Sequence, residues 1–149
     1  MSMLTLAGAT FSTGRANFLD AVPPAAGKTP RIYVRFAVGD TEEPYLALLD
    51  TGAEWSVLNC EIAKAMGLPT GTPLRLKHKD GVSEGSLVRA TLVLLADEGS
   101  DLVVDATVFV PDSNPPRGGS FIGYAGFLDR IKLAVDPQNN DVYFGDYAS

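Results

Sequence analysis

The chain has 149 residues, 46% of them hydrophobic and 20% charged, which is enough apolar surface for one ordinary core and too little charge for a disordered chain. Its 12 Lys and Arg against 18 Asp and Glu leave a net charge of −6, the wrong sign for a partner that is nucleic acid or an anionic membrane surface. One Cys and one His rule out an intrachain disulfide and a usual structural zinc site, so no metal and no cofactor is expected. The first residues carry no basic stretch ahead of an apolar segment, and no apolar run reaches spanning length. A soluble, cytoplasmic protein is the expectation.

Residues 1 to 30 mix Gly, Ala, Pro and Thr without period and read as an N-terminal arm on the surface, with Pro23-Pro24, Gly27 and Pro30 leading into a domain over residues 31 to 149. Ile32, Val34, Phe36 and Val38 then alternate with more polar neighbours, as a half-buried strand requires. A short apolar run from Tyr45 to Leu49 points straight into Asp50-Thr51-Gly52. Asn59 is placed to cap a short helix through Met66, which Gly67 and Pro69 end. Leu74, Leu76 and His78 alternate up to Asp80-Gly81, a two-residue hairpin signal, and the chain resumes as a long strand from Val82 to Leu95.

Further strands are expected at Leu102 to Val110, at Phe121-Ile122-Gly123, and in a closing hairpin of Lys132 to Val135 with Val142 to Phe144. Gly126 to Ile131 suggests a second short helix, and Pro115-Pro116-Arg117-Gly118-Gly119 reads as a connector. Many short strands with one or two short helices make the fold class mainly β.

The feature that carries chemistry is Leu48-Leu49-Asp50-Thr51-Gly52-Ala53, because a carboxylate at the end of an apolar strand is costly to desolvate unless something satisfies or uses it. Gly52 lets the backbone approach the acid closely, and Thr51 offers a hydroxyl. Alone, the tripeptide is equally an ordinary strand-to-turn junction. His78 is the only histidine, and nothing near it reads as a nucleophile elbow.

The wider context resembles the retropepsin-like aspartic proteases. The resemblance runs from about Arg31 to Gly145: a strand, the Asp-Thr-Gly-Ala motif at 50 to 53, a hairpin where that family has its flap, and Phe121-Ile122-Gly123 where it has two hydrophobic residues and a glycine. It implies a closed β-barrel of the acid-protease type, with a flap hairpin. It also implies an aspartic endopeptidase acting on polypeptide. Because such an enzyme needs two facing carboxylates and this chain offers one motif, the resemblance implies a homodimer in which each subunit contributes Asp50, Thr51 and Gly52. The residues expected to meet substrate are Ala53, Glu54, Asp80, Gly81, Val82, Ile122 and Gly123, with Gly81 and Gly85 suited to a moving flap tip. Terminal strands, residues 141 to 147 among them, are the expected subunit interface.

Tyr124 stands where viral members usually carry an Arg, which leaves Glu54 without that partner. Trp55, Ile122 and Phe127 are candidates to line side-chain subsites but read more readily as core, and Cys60 reads as a small buried hydrophobe. The alternative reading is a non-catalytic module of the same fold that binds a peptide or dimerises.

Overall fold

The structure, a computed structural model, describes residues 3–20, 31–39, 43–78, 81–113 and 119–147. Strands β1 (Thr5–Leu6) and β2 (Ala9–Thr10) form a two-stranded hairpin of their own. After them come β3 (Gly14–Asn17), β4 (Tyr33–Val38), β5 (Tyr45–Leu49) and β6 (Ser56–Val57), then helix α1 (Cys60–Ala65). β7 (Thr72–His78) pairs antiparallel with β8 (Gly81–Leu94) as a long hairpin, and β9 (Glu98–Gly99), β10 (Leu102–Pro111) and β11 (Ser120–Ile122) follow. A single 3-10 turn at Leu128–Arg130 leads into β12 (Ile131–Asp136) and β13 (Asp141–Asp146).

The larger sheet runs β10-β6-β11-β5-β4-β8-β7, and β10 also pairs with β8. That extra pairing closes six strands into a barrel, with β7 outside it on the hairpin. Closure removes the open edges that a sheet of this size would expose. The alternation in the sequence explains the lining: Val34, Phe36 and Val38 on β4 all point inward, as do Val104, Ala106 and Val108 on β10. Phe127 and Leu128 enter the same core from the loop before β12. Each large apolar side chain buried in this way contributes about 1.5–3 kcal/mol relative to exposure.

Helix α1 begins where expected. The Asn59 side chain accepts hydrogen bonds from the Glu61 and Ile62 amides at 2.9 and 3.4 Å, satisfying two donors of the first turn. The second expected helix is only the 3-10 turn, with the Asp129 carboxylate accepting from the Gly126 amide at 3.0 Å.

Two expectations are corrected here. Residues 14 to 18 are not a surface arm: β3 is an inner strand of a second sheet ordered β12-β13-β3-β9, and Ala16 and Phe18 are buried in the core. Small residues let β3 lie close, since a Cβ on Gly14 would stand 2.3 Å from the Ser100 carbonyl oxygen. The second correction follows from the same sheet. The C-terminal strand β13 pairs with β12 along its length and with β3 over Asp141 to Phe144, so over those residues both of its hydrogen-bonding edges are filled within the chain.

Candidate functional site

Strands β5 and β11 run parallel in register, Leu49 opposite Ile122, so their C-terminal ends leave the sheet at the same place. β11 lies between β5 and β6, which are neighbours in sequence but not in the sheet. The segment after β5 must therefore arch over the end of β11 to reach β6. That arch is Asp50 to Trp55.

It is held by backbone bonds to the segment after β11. The Asp50 amide donates to the Ile122 carbonyl at 2.8 Å, the Tyr124 amide to Ala53 at 2.8 Å and the Ala125 amide to Glu54 at 2.6 Å. Within the arch the Ala53 amide donates to the Asp50 carbonyl at 3.2 Å, and the Gly52 amide donates to Asp50 Oδ1 at 3.0 Å. One carboxylate oxygen of Asp50 is thus fixed by its own loop. The side chain is half-buried, and Thr51, Gly52 and Glu54 are exposed around it.

Gly123 is where the two segments come closest. A Cβ there would lie 2.4 Å from the Trp55 carbonyl oxygen and 2.9 Å from that of Ala53, so only glycine fits without moving backbone. Its amide donates at 2.8 Å to the hydroxyl of Ser56, which is buried to 2% exposure on β6. A second buried hydroxyl, Ser120, accepts from the Asn59 amide at 3.1 Å and joins β11 to the start of α1. Neither serine stands out in the sequence reading. The available signal was a hydroxyl residue at an inward position of an apolar strand, which needs a hydrogen-bond partner in a dry interior.

The other expected site residues divide. Asp50, Thr51, Gly52, Ala53, Glu54 and Gly123 come together in the interlocked loops. Ile122 belongs there through its carbonyl, while its side chain is 4% exposed and packs in the core rather than lining an open groove. Phe127 is wholly buried, as expected, and so is Cys60.

Gly81 and Val82 are exposed at the start of β8, in the hairpin, and Lys79 and Asp80 lie outside the described residues, as do Pro115 to Gly118. Gly81 has open space around it, with nothing within 4 Å of an added Cβ. Gly85 is not at a moving tip. It sits opposite Leu74 on β7 and Pro111 on β10, where an added Cβ would meet the Val110 carbonyl oxygen at 2.2 Å. It marks the base at which the hairpin leaves the barrel.

Among the described residues no group of three or more His, Cys, Asp or Glu is arranged to hold a metal ion, and no helix is long and apolar enough to cross a membrane. The chemistry the loops offer is that of one oriented carboxyl group beside backbone amides and carbonyls.

No family model and no curated protein matches the sequence. Solved structures do match the fold. A retropepsin-like aspartic protease from Rickettsia conorii aligns with TM-score 0.56 and 16% identity over 89% of this chain and 98% of its own. The retroviral protease-like domain of Ddi1 from Leishmania major aligns with TM-score 0.55 and 17% identity over 82% of this chain and 99% of its own. The chain has the retropepsin-like fold, as its sequence motifs led one to expect.

Proposed function

We propose that the protein is a homodimeric aspartic endopeptidase in which Asp50 of each subunit forms one half of the catalytic pair. The observation that carries this reading is the placement of Asp50. It ends a barrel strand, keeps one carboxylate oxygen on the Gly52 amide and stands in a loop locked to the segment after β11. A lone carboxylate so held has no acid to work with. A two-fold axis beside it supplies a second copy.

Two carboxyl groups in contact share one proton, the aspartic-protease dyad being the standard case. The ionised Asp50 takes a proton from a bound water as that water attacks the scissile carbonyl, and the protonated Asp50 hydrogen-bonds the carbonyl oxygen. The tetrahedral intermediate collapses as the leaving amine takes a proton from the pair. Thr51 braces the two loops across the axis in this scheme. The β7–β8 hairpin is the flap over an extended peptide, which the exposed Val82 and the backbone at Gly81 contact, together with Ala53, Glu54 and Asp80.

The test is cleavage of a mixed peptide library between about pH 4 and about pH 7 by wild type and Asp50→Asn. Asparagine keeps the acceptor that the Gly52 amide uses, so the variant is expected to fold and to lose turnover. Cleavage that survives in Asp50→Asn removes the reading, and so does absence of cleavage by a folded wild-type dimer.

A further inference from the structure

A groove of about 650 Å³ lies outside the interlocked loops and has no residue of theirs in its wall. Four consecutive residues of β10, Leu102 to Asp105, line it. Side chains alternate across a strand, and Leu102 and Val104 turn into the core at 5 and 3% exposure, so what all four present to the groove is the edge of the strand. The barrel closes late along this edge. β6 pairs with β10 only at Val108 and Phe109, and one residue earlier the Thr107 amide donates to the Gly126 carbonyl at 3.0 Å. From Leu102 to Asp105 no strand among the described residues pairs on that side.

The backbone groups exposed there follow from their neighbours. The Phe109 carbonyl accepts from the Leu58 amide, and the Asp105 carbonyl accepts from Arg130 Nη1 at 2.6 Å, both on the side away from β8. Backbone groups alternate between the two edges of a strand, so the Val103 amide and carbonyl and the Asp105 amide face the groove. A residue that turns both its groups to one open edge is what an added strand pairs with. The Val103 side chain, 62% exposed, stands on the outer surface beside this edge.

Arg130 gives the groove its charge preference. Arg15, Arg35, Arg75 and Arg89 each pair with a carboxylate. Arg130 makes no ion pair among the described residues, and its guanidinium donates instead to the neutral Asp105 carbonyl and, at 3.3 Å, to the Thr107 hydroxyl. Of the other charges in the wall, Asp105 is paired with Arg89, and Asp146 ends β13. A guanidinium carries five donors in one plane, so neutral acceptors on part of it leave an oriented cation with donors to spare. A carboxylate is the group that matches them.

We propose that this groove is a second polypeptide-binding site, separate from the Asp50 loops, which takes an extended acidic segment as a strand added along Leu102 to Asp105 with one of its carboxylates on Arg130. The inference goes beyond the endopeptidase reading and does not depend on it. The site selects polypeptides that carry such a segment, whether or not Asp50 then cuts them elsewhere. The open stretch is short, so affinity is modest and the carboxylate supplies much of the selectivity.

The experiment is a titration of isotope-labelled protein with the probe acetyl-Thr-Val-Glu-Val-Thr-amide, followed through the amide chemical shifts, with a Gln-for-Glu peptide and a backbone N-methylated peptide as companions. The Val103 and Asp105 amides are expected to shift with a dissociation constant of about 100 μM, and both companions to bind about 5-fold to about 10-fold more weakly. Arg130→Gln should weaken the Glu probe about 10-fold and abolish its advantage over the Gln probe, the coupling that direct contact requires. Val103→Pro removes the outward amide while sparing the β8–β10 ladder, and should weaken both probes about 5-fold or more. If Val103→Pro does not fold, Arg130→Gln at an exposed position decides. Silence at Val103 and Asp105 with about 1 mM probe, shifts confined to Thr51, Gly52 and Gly81, or a preference for Glu that survives Arg130→Gln overturns the inference. Cleavage of the probe, read by mass in the same samples, reports on Asp50 separately. Binding at Val103 without cleavage keeps this site and counts against the protease, whereas cleavage without a shift at Val103 removes the site and keeps the protease.

Discussion

Gly123 and Trp55 are in backbone contact across the two loops of the candidate site, with room for a hydrogen but not for a methyl group: a Cβ on Gly123 would stand 2.4 Å from the Trp55 carbonyl oxygen. The atom it meets is backbone on both sides, so relief requires the arch carrying Asp50 to move. Gly123→Ala is expected to cost about 2–4 kcal/mol, read as a lower urea midpoint with unchanged slope. Gly119→Ala is the control, because nothing lies within 4 Å of its added Cβ and its stability should stay within about 1 kcal/mol of wild type.

Ser56 holds the same junction from the other side. Its hydroxyl is the acceptor for the Gly123 amide at 2.8 Å in a buried setting, and Ser56→Ala leaves that amide without a partner. The expected cost is about 1–3 kcal/mol in thermal or urea unfolding. Ser56→Thr retains the hydroxyl and should recover part of the loss. Equal destabilisation by both variants would show that space, not the hydrogen bond, governs the position.

What was legible beforehand had local causes. Period-two alternation at Val34, Phe36 and Val38 marks a strand with one dry face, Asn59 is a side chain that caps helices, and Asp50 at the end of an apolar run is a charge that requires an explanation. The resemblance in the motifs at 50 to 53 and 121 to 123 then led to the fold. What escaped notice had distant causes. Gly14-Arg15-Ala16-Asn17 has no apolar alternation, and its place as an inner strand is set by partners far along the chain: Arg15 pairs with Asp141 at 2.6 Å and with Glu98 at 3.2 Å. Those two carboxylates hold the Arg15 guanidinium above its ordinary range, Glu98 having the larger effect. The packing of Gly85 has the same kind of cause. Only the closed barrel brings it against Pro111, and a glycine near a hairpin turn looks like a hinge until its neighbours are known.

The base of the hairpin gives the next prediction. An added Cβ at Gly85 would meet the Val110 carbonyl oxygen at 2.2 Å and Pro111 Cα at 2.7 Å. Gly85→Ala should therefore push β8 away from the end of β10 and break the bond from the Asp112 amide to the Glu84 carbonyl, 2.9 Å in the native chain. Hydrogen exchange is the direct measurement. The Asp112 amide should lose protection while the Leu92 and Val104 amides, deep in the β8–β10 pairing, keep theirs. Uniform loss across β8 and β10 would mean that the hairpin and the barrel open as one unit.

Asp97 ties the second sheet to the barrel, and its charge makes that tie dependent on pH. Burial pushes its carboxyl up, but the hydrogen bond from the Asn17 amide at 2.6 Å and the hydrogen-bonded ion pair with Arg35 on β4 outweigh that and hold it below the ordinary aspartate value. The unfolded chain, with the ordinary value, takes up its proton first as pH falls. The stabilisation is therefore complete above that value and is lost as pH drops through the lower, folded one. Asp97→Asn removes the charge while keeping an oxygen for the Asn17 amide. At pH near 7 it should cost about 1 kcal/mol, a modest figure because the pair is partly open to solvent. The gap between variant and wild type should narrow below about pH 4 and close on further acidification, in urea titrations at matched ionic strength. A gap of constant size down to about pH 2 would mean that the amide group disturbs the joint by its shape, and that the ion pair with Arg35 contributes nothing to holding β3 against the barrel.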